Sequence, residues 1–79
     1  KLRDNNETTY WYKMNVILNG KKIFLEKKLS LNDFLIMHNL KENNIVIEIN
    51  RNIITKSLWH DYELKDNDKI EIITAVGGG

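Results

Sequence analysis

Apolar residues fall into short groups along the chain, and their spacing changes from two to about three and a half and back again. In MNVIL, Met14, Val16 and Leu18 share one parity and Asn15 and Ile17 the other. A β-strand turns successive side chains to opposite faces, so this alternation predicts a strand with Met14, Val16 and Leu18 on one face and Asn15 and Ile17 on the other. Asn19-Gly20 follows, and KKIFLE resumes the apolar pattern before the charged Glu26-Lys27-Lys28. Asn-Gly between two apolar runs is a strong hairpin signal, because a type I′ turn needs positive φ at both central residues. The spacing then lengthens in SLNDFLIMHNL, where Leu31, Phe34, Leu35 and His38 fall on one helical face. Ser30 suits the N-cap, with Asp33 three residues on, and the helix is expected to end near Asn39.

After a polar turn at residues 41–44, IVIEI is short and β-branched and predicts a buried strand. Asn50-Arg51-Asn52 is a second tight turn and leads into a short Ile53-Ile54 strand. Residues 55–60 suit one helical turn that carries Trp59, a large ring expected to cover one end of the core. LKDNDK is a turn rich in Asp and Asn, and residues 70–76, IEIITAV, form the last strand. Its alternation sets Ile70 and Ile72 on one face and Glu71 and Ile73 on the other. Hairpin, helix, strand, short strand and final strand make an α+β pattern. After a helical crossover the last strand can return parallel to the first. One helix across a mixed sheet of four or five strands, with the last strand central, is the β-grasp (ubiquitin-like) arrangement. The predicted units are an N-terminal extension, leader remnant or tag at residues 1–13, a β-grasp domain at 14–76, and a Gly-rich tail at 77–79. The extension is polar through Thr9 and then reads Tyr10-Trp11-Tyr12. The fold is expected not to need it; the alternative is that the aromatic triplet lies on the domain or on a partner.

Composition narrows the chemistry. Seventy-nine residues make one domain at most. Without cysteine there is no disulfide framework, thiolate metal site or thiol nucleophile, and the expected setting is cytoplasm or an organelle interior such as a plastid. Twelve basic and 11 acidic residues leave a net charge of +1, and no run of like charge reaches five, so no footprint for nucleic acid or an anionic membrane is present. His38 reads as a packing residue on the apolar helix face and His60 as a solvated turn residue. Asp66 and Asp68 read as turn residues rather than metal ligands. These features point away from an enzyme and away from any resident cofactor or metal.

What remains is the end of the sequence, Gly77-Gly78-Gly79 directly after the last strand. In a random chain such glycines are a floppy end. Here they carry a carboxylate out from the middle of a sheet. A carboxylate is a poor acyl donor until it is activated, for example as an anhydride with AMP. The enzyme that does this must admit the tail into a narrow groove beside ATP. Glycine has no side chain to obstruct such a groove, and three extended residues reach about 10 Å.

The stretches NVILNGKKI, SLNDFLI and IVIEINRNIITKSLWHDYELKDNDKIEIITAVGGG resemble the ThiS family, the sulfur carriers of thiamin thiazole biosynthesis. The resemblance runs from Met14 to Gly79 and is most specific in NRNIITKSLWHDYEL and KDNDKIEIITAVGGG. Where the family typically has Gly before the Asp of that last stretch, this chain has Asn67. The resemblance implies a β-grasp fold and a carrier that is a protein co-substrate. Gly79 would be adenylated by a ubiquitin-activating-type adenylyltransferase using MgATP. Sulfur from a persulfide would then replace AMP, leaving a thiocarboxylate for thiazole synthase. Gly78 matches the family's Gly-Gly signature, Gly77 is less constrained, and Val76 and Ile73 are candidates for partner contact. The rivals are a molybdopterin-type sulfur carrier, a ubiquitin-like modifier joined to lysines, and a plain β-grasp interaction domain. The absence of Pro argues against the first.

Overall fold

The computed structural model describes residues 14–41 and 44–74. Five strands form one sheet: β1 (Met14–Leu18), β2 (Lys21–Leu25), β3 (Ile45–Ile49), β4 (Asn52–Ile54) and β5 (Lys69–Thr74). Among the described residues, one helix, α1 (Leu31–Met37), and a 3-10 turn, Lys56–Leu58, accompany them. The spatial order is β2-β1-β5-β3-β4. β1 pairs antiparallel with β2 and parallel with β5, and β3 pairs antiparallel with both β5 and β4. The last strand is therefore central and next to the first, as the β-grasp reading requires.

Local chemistry accounts for the connections. Asn19 and Gly20 take φ of 48° and 86°, the left-handed pair that joins β1 to β2. Asn50 and Arg51 do the same between β3 and β4, at 54° and 74°, with no glycine. Asn39, Asn44 and Asn67 are also left-handed. Asn tolerates this region better than other side-chain-bearing residues, which explains how a chain with Gly20 as its one internal glycine makes so many tight turns. Asn67, standing in a Gly position of the family pattern, has φ of 72°.

The helix is capped at both ends. Ser30 Oγ accepts from the Asp33 amide at 3.0 Å. The amides of Leu31 and Asn32 donate to the carbonyls of Tyr62 and Trp59, and Phe34 to that of Ser30, so the first-turn donors are all paired. The periodicity predicted an end near Asn39; α1 ends at Met37, with His38 as C-cap. The reason is a left-handed Asn39: its amide donates to Ile36 and that of Leu40 to Leu35, the paired bonds that close a helix around a left-handed residue.

The core lies between α1 and one sheet face. Val16, Ile47 and Ile70 from the sheet and Leu31, Phe34 and Leu35 from the helix are all fully buried. Trp59 closes one end, 2% exposed, and its indole N–H donates to the Ile54 carbonyl at 2.9 Å. The prediction of a core-covering ring at that position matches the structure. Of the predicted units, residues 1–13 and 77–79 lie outside the described residues, as does part of the turn at 41–44.

Candidate functional site

The strand that leads to the glycines is held from four directions. β3 pairs along its whole length, from Ile49 opposite Ile70 to Ile45 opposite Thr74. β1 pairs with its start, at Ile17–Lys69 and Leu18–Ile70, and the Asn19 amide donates to the Ile70 carbonyl at 2.8 Å. Where β1 turns away, the Asn19 side chain takes over the ladder: its Oδ1 accepts from the Ile72 amide at 2.9 Å. At the strand's other end Asn50 Oδ1 accepts from the Lys69 amide at 3.0 Å, and the Asn50 amide donates back to the Lys69 carbonyl at 2.9 Å.

Asp68, just before β5, is 4% exposed and anchors the preceding turn. Its carboxylate accepts from the Asn50 side-chain amide at 2.9 Å, the Lys65 backbone amide at 2.9 Å and the Tyr62 hydroxyl at 3.3 Å. Burial, then the nearby Asp68 charge and the hydrogen bond to it, raise the Tyr62 phenol above its ordinary pKa of 10.0. Asp66 accepts from the Asn15 amide at 2.8 Å, and the Asn67 amide donates to the Asn15 carbonyl at 2.7 Å. The carboxylate pair thus ties the turn to β1 and β3, as expected of turn residues. Among the described residues no group of three His, Asp or Glu side chains gathers for a metal.

Among the described residues no helix covers the sheet's second face, and Ile73 stands on it. Ile73 is 47% exposed, while Ile70 on the opposite face is fully buried, so the strand phase read from alternation holds. Val46 lies directly across from Ile73 on β3, with Glu48 opposite Glu71 and then Ile53, 62% exposed, in the same sheet face. Val76, Gly77, Gly78 and Gly79 lie outside the described residues. The other predicted packing residue, His38, packs against Phe34 with ring centroids 4.6 Å apart and the rings tilted by 50°, and His60 is exposed.

Sequence reading missed Asn19, Asn50 and Asp68 as anchors of the last strand, seeing only turns. The turn signal was present at each. The clamping was not, because its partners lie 53, 19 and 18 residues away.

Known proteins bear on this arrangement. Residues 12–79 match the model of the ThiS family. The sulfur carrier protein ThiS of Bacillus subtilis is 40% identical over 63 residues, covering 78% of this chain and 96% of that protein. The ycf40 protein of Porphyra purpurea is 36% identical over 66 residues, covering 84% of this chain and 93% of its own length. The crystal structure of the thiamine biosynthesis protein ThiS from Geobacter metallireducens superposes with a TM-score of 0.74 at 23% identity. It covers 84% of this chain and all of that one, and it supports the fold.

Proposed function

The chain belongs to the ThiS family, and from that premise we propose that it is a sulfur carrier of thiamin biosynthesis whose Gly79 carboxylate is the reacting group. An activating enzyme of the ubiquitin-activating type, using MgATP, joins the Gly79 carboxylate to AMP with release of pyrophosphate. The outer sulfur of an enzyme persulfide attacks the acyl adenylate and expels AMP, leaving an acyl disulfide. A thiol then attacks the persulfide-side sulfur, forming a new disulfide and releasing the Gly79 thiocarboxylate, which passes its sulfur to thiazole synthase. The carrier contributes no catalytic side chain. It contributes a carboxylate at the end of a strip narrow enough to enter two active sites, and a surface by which each partner holds it.

The observation that carries this reading is the placement of β5. A central strand fixed by β1, β3, Asn19 and Asn50 runs to Thr74, five residues before Gly79. A tail anchored this way has a defined point of departure, which lowers the entropy lost when a partner captures it. Among the described residues Ile73 is the exposed apolar side chain nearest that point, and it serves as part of the docking surface together with Val46 across from it. Val76, Gly77 and Gly78 precede Gly79 and enter the partner's narrow groove with it.

The test is intact-mass analysis of the chain after incubation with MgATP, a sulfide source and its activating enzyme. Exchange of one oxygen for sulfur at the C-terminus is expected, followed by loss of that sulfur when thiazole synthase and its substrates are added. Amide linkage to lysines instead of sulfur loading would assign the chain to protein modification.

A further inference from the structure

The open face of the sheet carries its side chains in a fixed order. Phe24 lies opposite Asn15, whose neighbours Met14 and Val16 are buried on the helix side, so Phe24 belongs to the open face. Lys22 lies opposite Ile17, and Ile17 opposite Lys69, so the two lysines share the next row across the sheet. Glu71, Glu48 and Ile53 form the row after that, and Ile73 and Val46 the last. Followed in the direction of β5, the rows read apolar, basic, acidic, apolar.

These groups are not used inside the chain. Lys22, Lys69 and Glu71 are exposed and Glu48 is partly so. None of the four is in an ion pair among the described residues. Glu48 and Glu71 stand directly opposite one another, which weakens the strand pairing unless a cation lies over them. Phe24, Ile53 and Ile73 add large exposed apolar surface on the same face.

The order of the rows is its own complement. A two-fold axis lying in the contact plane, between the basic and the acidic row, exchanges the two. Such a contact is isologous: the same patch meets itself on the second copy. The lysines sit toward β2 and the glutamates toward β4. The axis therefore runs at about 45° to the strands, and the two sheets cross near about 90°, the orthogonal class of sheet packing. With strands about 4.8 Å apart and about 3.3 Å per residue, this rotation sets Lys22 and Lys69 within roughly 5 Å, in the plane, of Glu48 and Glu71 of the other copy. It also sets Phe24 over the gap between Ile53 and Val46.

We propose that the open face pairs with the same face of a second copy of this chain, Lys22 answering Glu48 and Lys69 answering Glu71 in both directions. The face is roughly 20 Å on a side. A contact of that size belongs to weak, transient pairs, with a Kd on the order of 0.1–1 mM. The pairing covers Ile73, so on the function proposed above it excludes capture by the activating enzyme. The pairing itself does not depend on that function.

The experiment is sedimentation equilibrium of the full chain over roughly 0.01–2 mM, spanning that Kd, with amide shifts followed on dilution. No activating enzyme is present, so the outcome is independent of sulfur loading. The mass should rise toward that of two chains, less so at high salt, and the shifts should fall across the open face. Lys69→Glu and Glu71→Lys should each weaken pairing by roughly tenfold. Mixing the two variants should restore it, because one then carries only acidic and the other only basic side chains at these two positions. A monomer at every concentration overturns the proposal. So does pairing that neither variant weakens, or a mixture that pairs no better than its parts. Dilution shifts confined to the β2 or β4 edge would overturn it as well.

Discussion

The two faces of the sheet are built from the same kinds of strand residue but serve opposite ends. On the helix side, Val16, Ile47 and Ile70 are fully buried against Leu31, Phe34 and Leu35. On the open side, Ile73 and Ile53 are 47% and 62% exposed, and Glu48 faces Glu71 across β3 and β5. Like charges directly opposite one another weaken strand pairing, and exposed isoleucines add little to it. The open face therefore contributes little to holding the molecule together. What it offers is a firm surface beside the point where the tail departs. Stability and recognition are separable because successive residues of β5 point to opposite faces, and each side can be altered with the other left intact.

The largest effect should come from the buried side. Trp59→Ala removes a fully packed ring and its hydrogen bond to Ile54, and should lower stability by about 3–5 kcal/mol. Chemical denaturation measures this directly. An unchanged midpoint together with lost partner binding would make Trp59 an interface residue and blur the contrast between the faces. On the open side, Ile73→Asp should leave stability within about 0.5 kcal/mol. It should weaken capture by the activating enzyme by roughly 30-fold, as expected for an apolar residue near the centre of an interface. Unfolding of this variant would show that the open face carries structural load after all.

A smaller effect is expected where the two roles meet. Asn19→Gly keeps the positive φ of the hairpin and removes only the acceptor for the Ile72 amide. Stability should fall by about 1 kcal/mol, and hydrogen exchange at the Ile72 amide should accelerate more than at Ile70. The smallest effect concerns alkaline pH. The Tyr62 phenol is raised in the folded state, so its neutral form is favoured there. Its contribution is fully present below pH 10 and is lost as pH rises through the higher folded value. Thermal midpoints measured against Tyr62→Phe should converge below pH 10, in slope if not in value, and the native chain alone should decline further above it.

Most of the framework was legible in the sequence because its signals are local. Asn19-Gly20 between alternating runs fixed the hairpin. Ser30 and the spacing of Leu31, Phe34 and Leu35 fixed the helix, and the parity of Ile70 to Ile73 fixed which isoleucine faces outward. The helix end was misjudged by two residues because periodicity continues into His38, whereas termination depends on Asn39 adopting a left-handed backbone. The clamps on β5 were invisible for a different reason. Asn19, Asn50 and Asp68 announce turns, but the amides held by Asn19 and Asn50 lie on β5 and Asp68 reaches the Asn50 side chain in the β3–β4 turn, and only the assembled topology brings them together. The tail reading rests on what Gly77, Gly78 and Gly79 lack, side chains, and these residues lie outside the described residues of the structure.

The central claim, that Gly79 is the acyl group on which activation and sulfur transfer occur, is tested most directly by removing that residue. Chemistry at the carboxylate requires the reacting atoms to approach within about 3–3.5 Å, and an error of about 1 Å costs on the order of 100-fold. Deleting Gly79 withdraws the carboxylate by roughly 3.3–3.6 Å. The measurement is ATP–pyrophosphate exchange with the activating enzyme, followed by intact mass for replacement of oxygen by sulfur, on chains with and without Gly79. Exchange and sulfur loading are expected for the intact chain and neither for the shortened one, with identical unfolding curves for both. Sulfur loading at the normal rate in a chain that ends at Gly78 would contradict that claim.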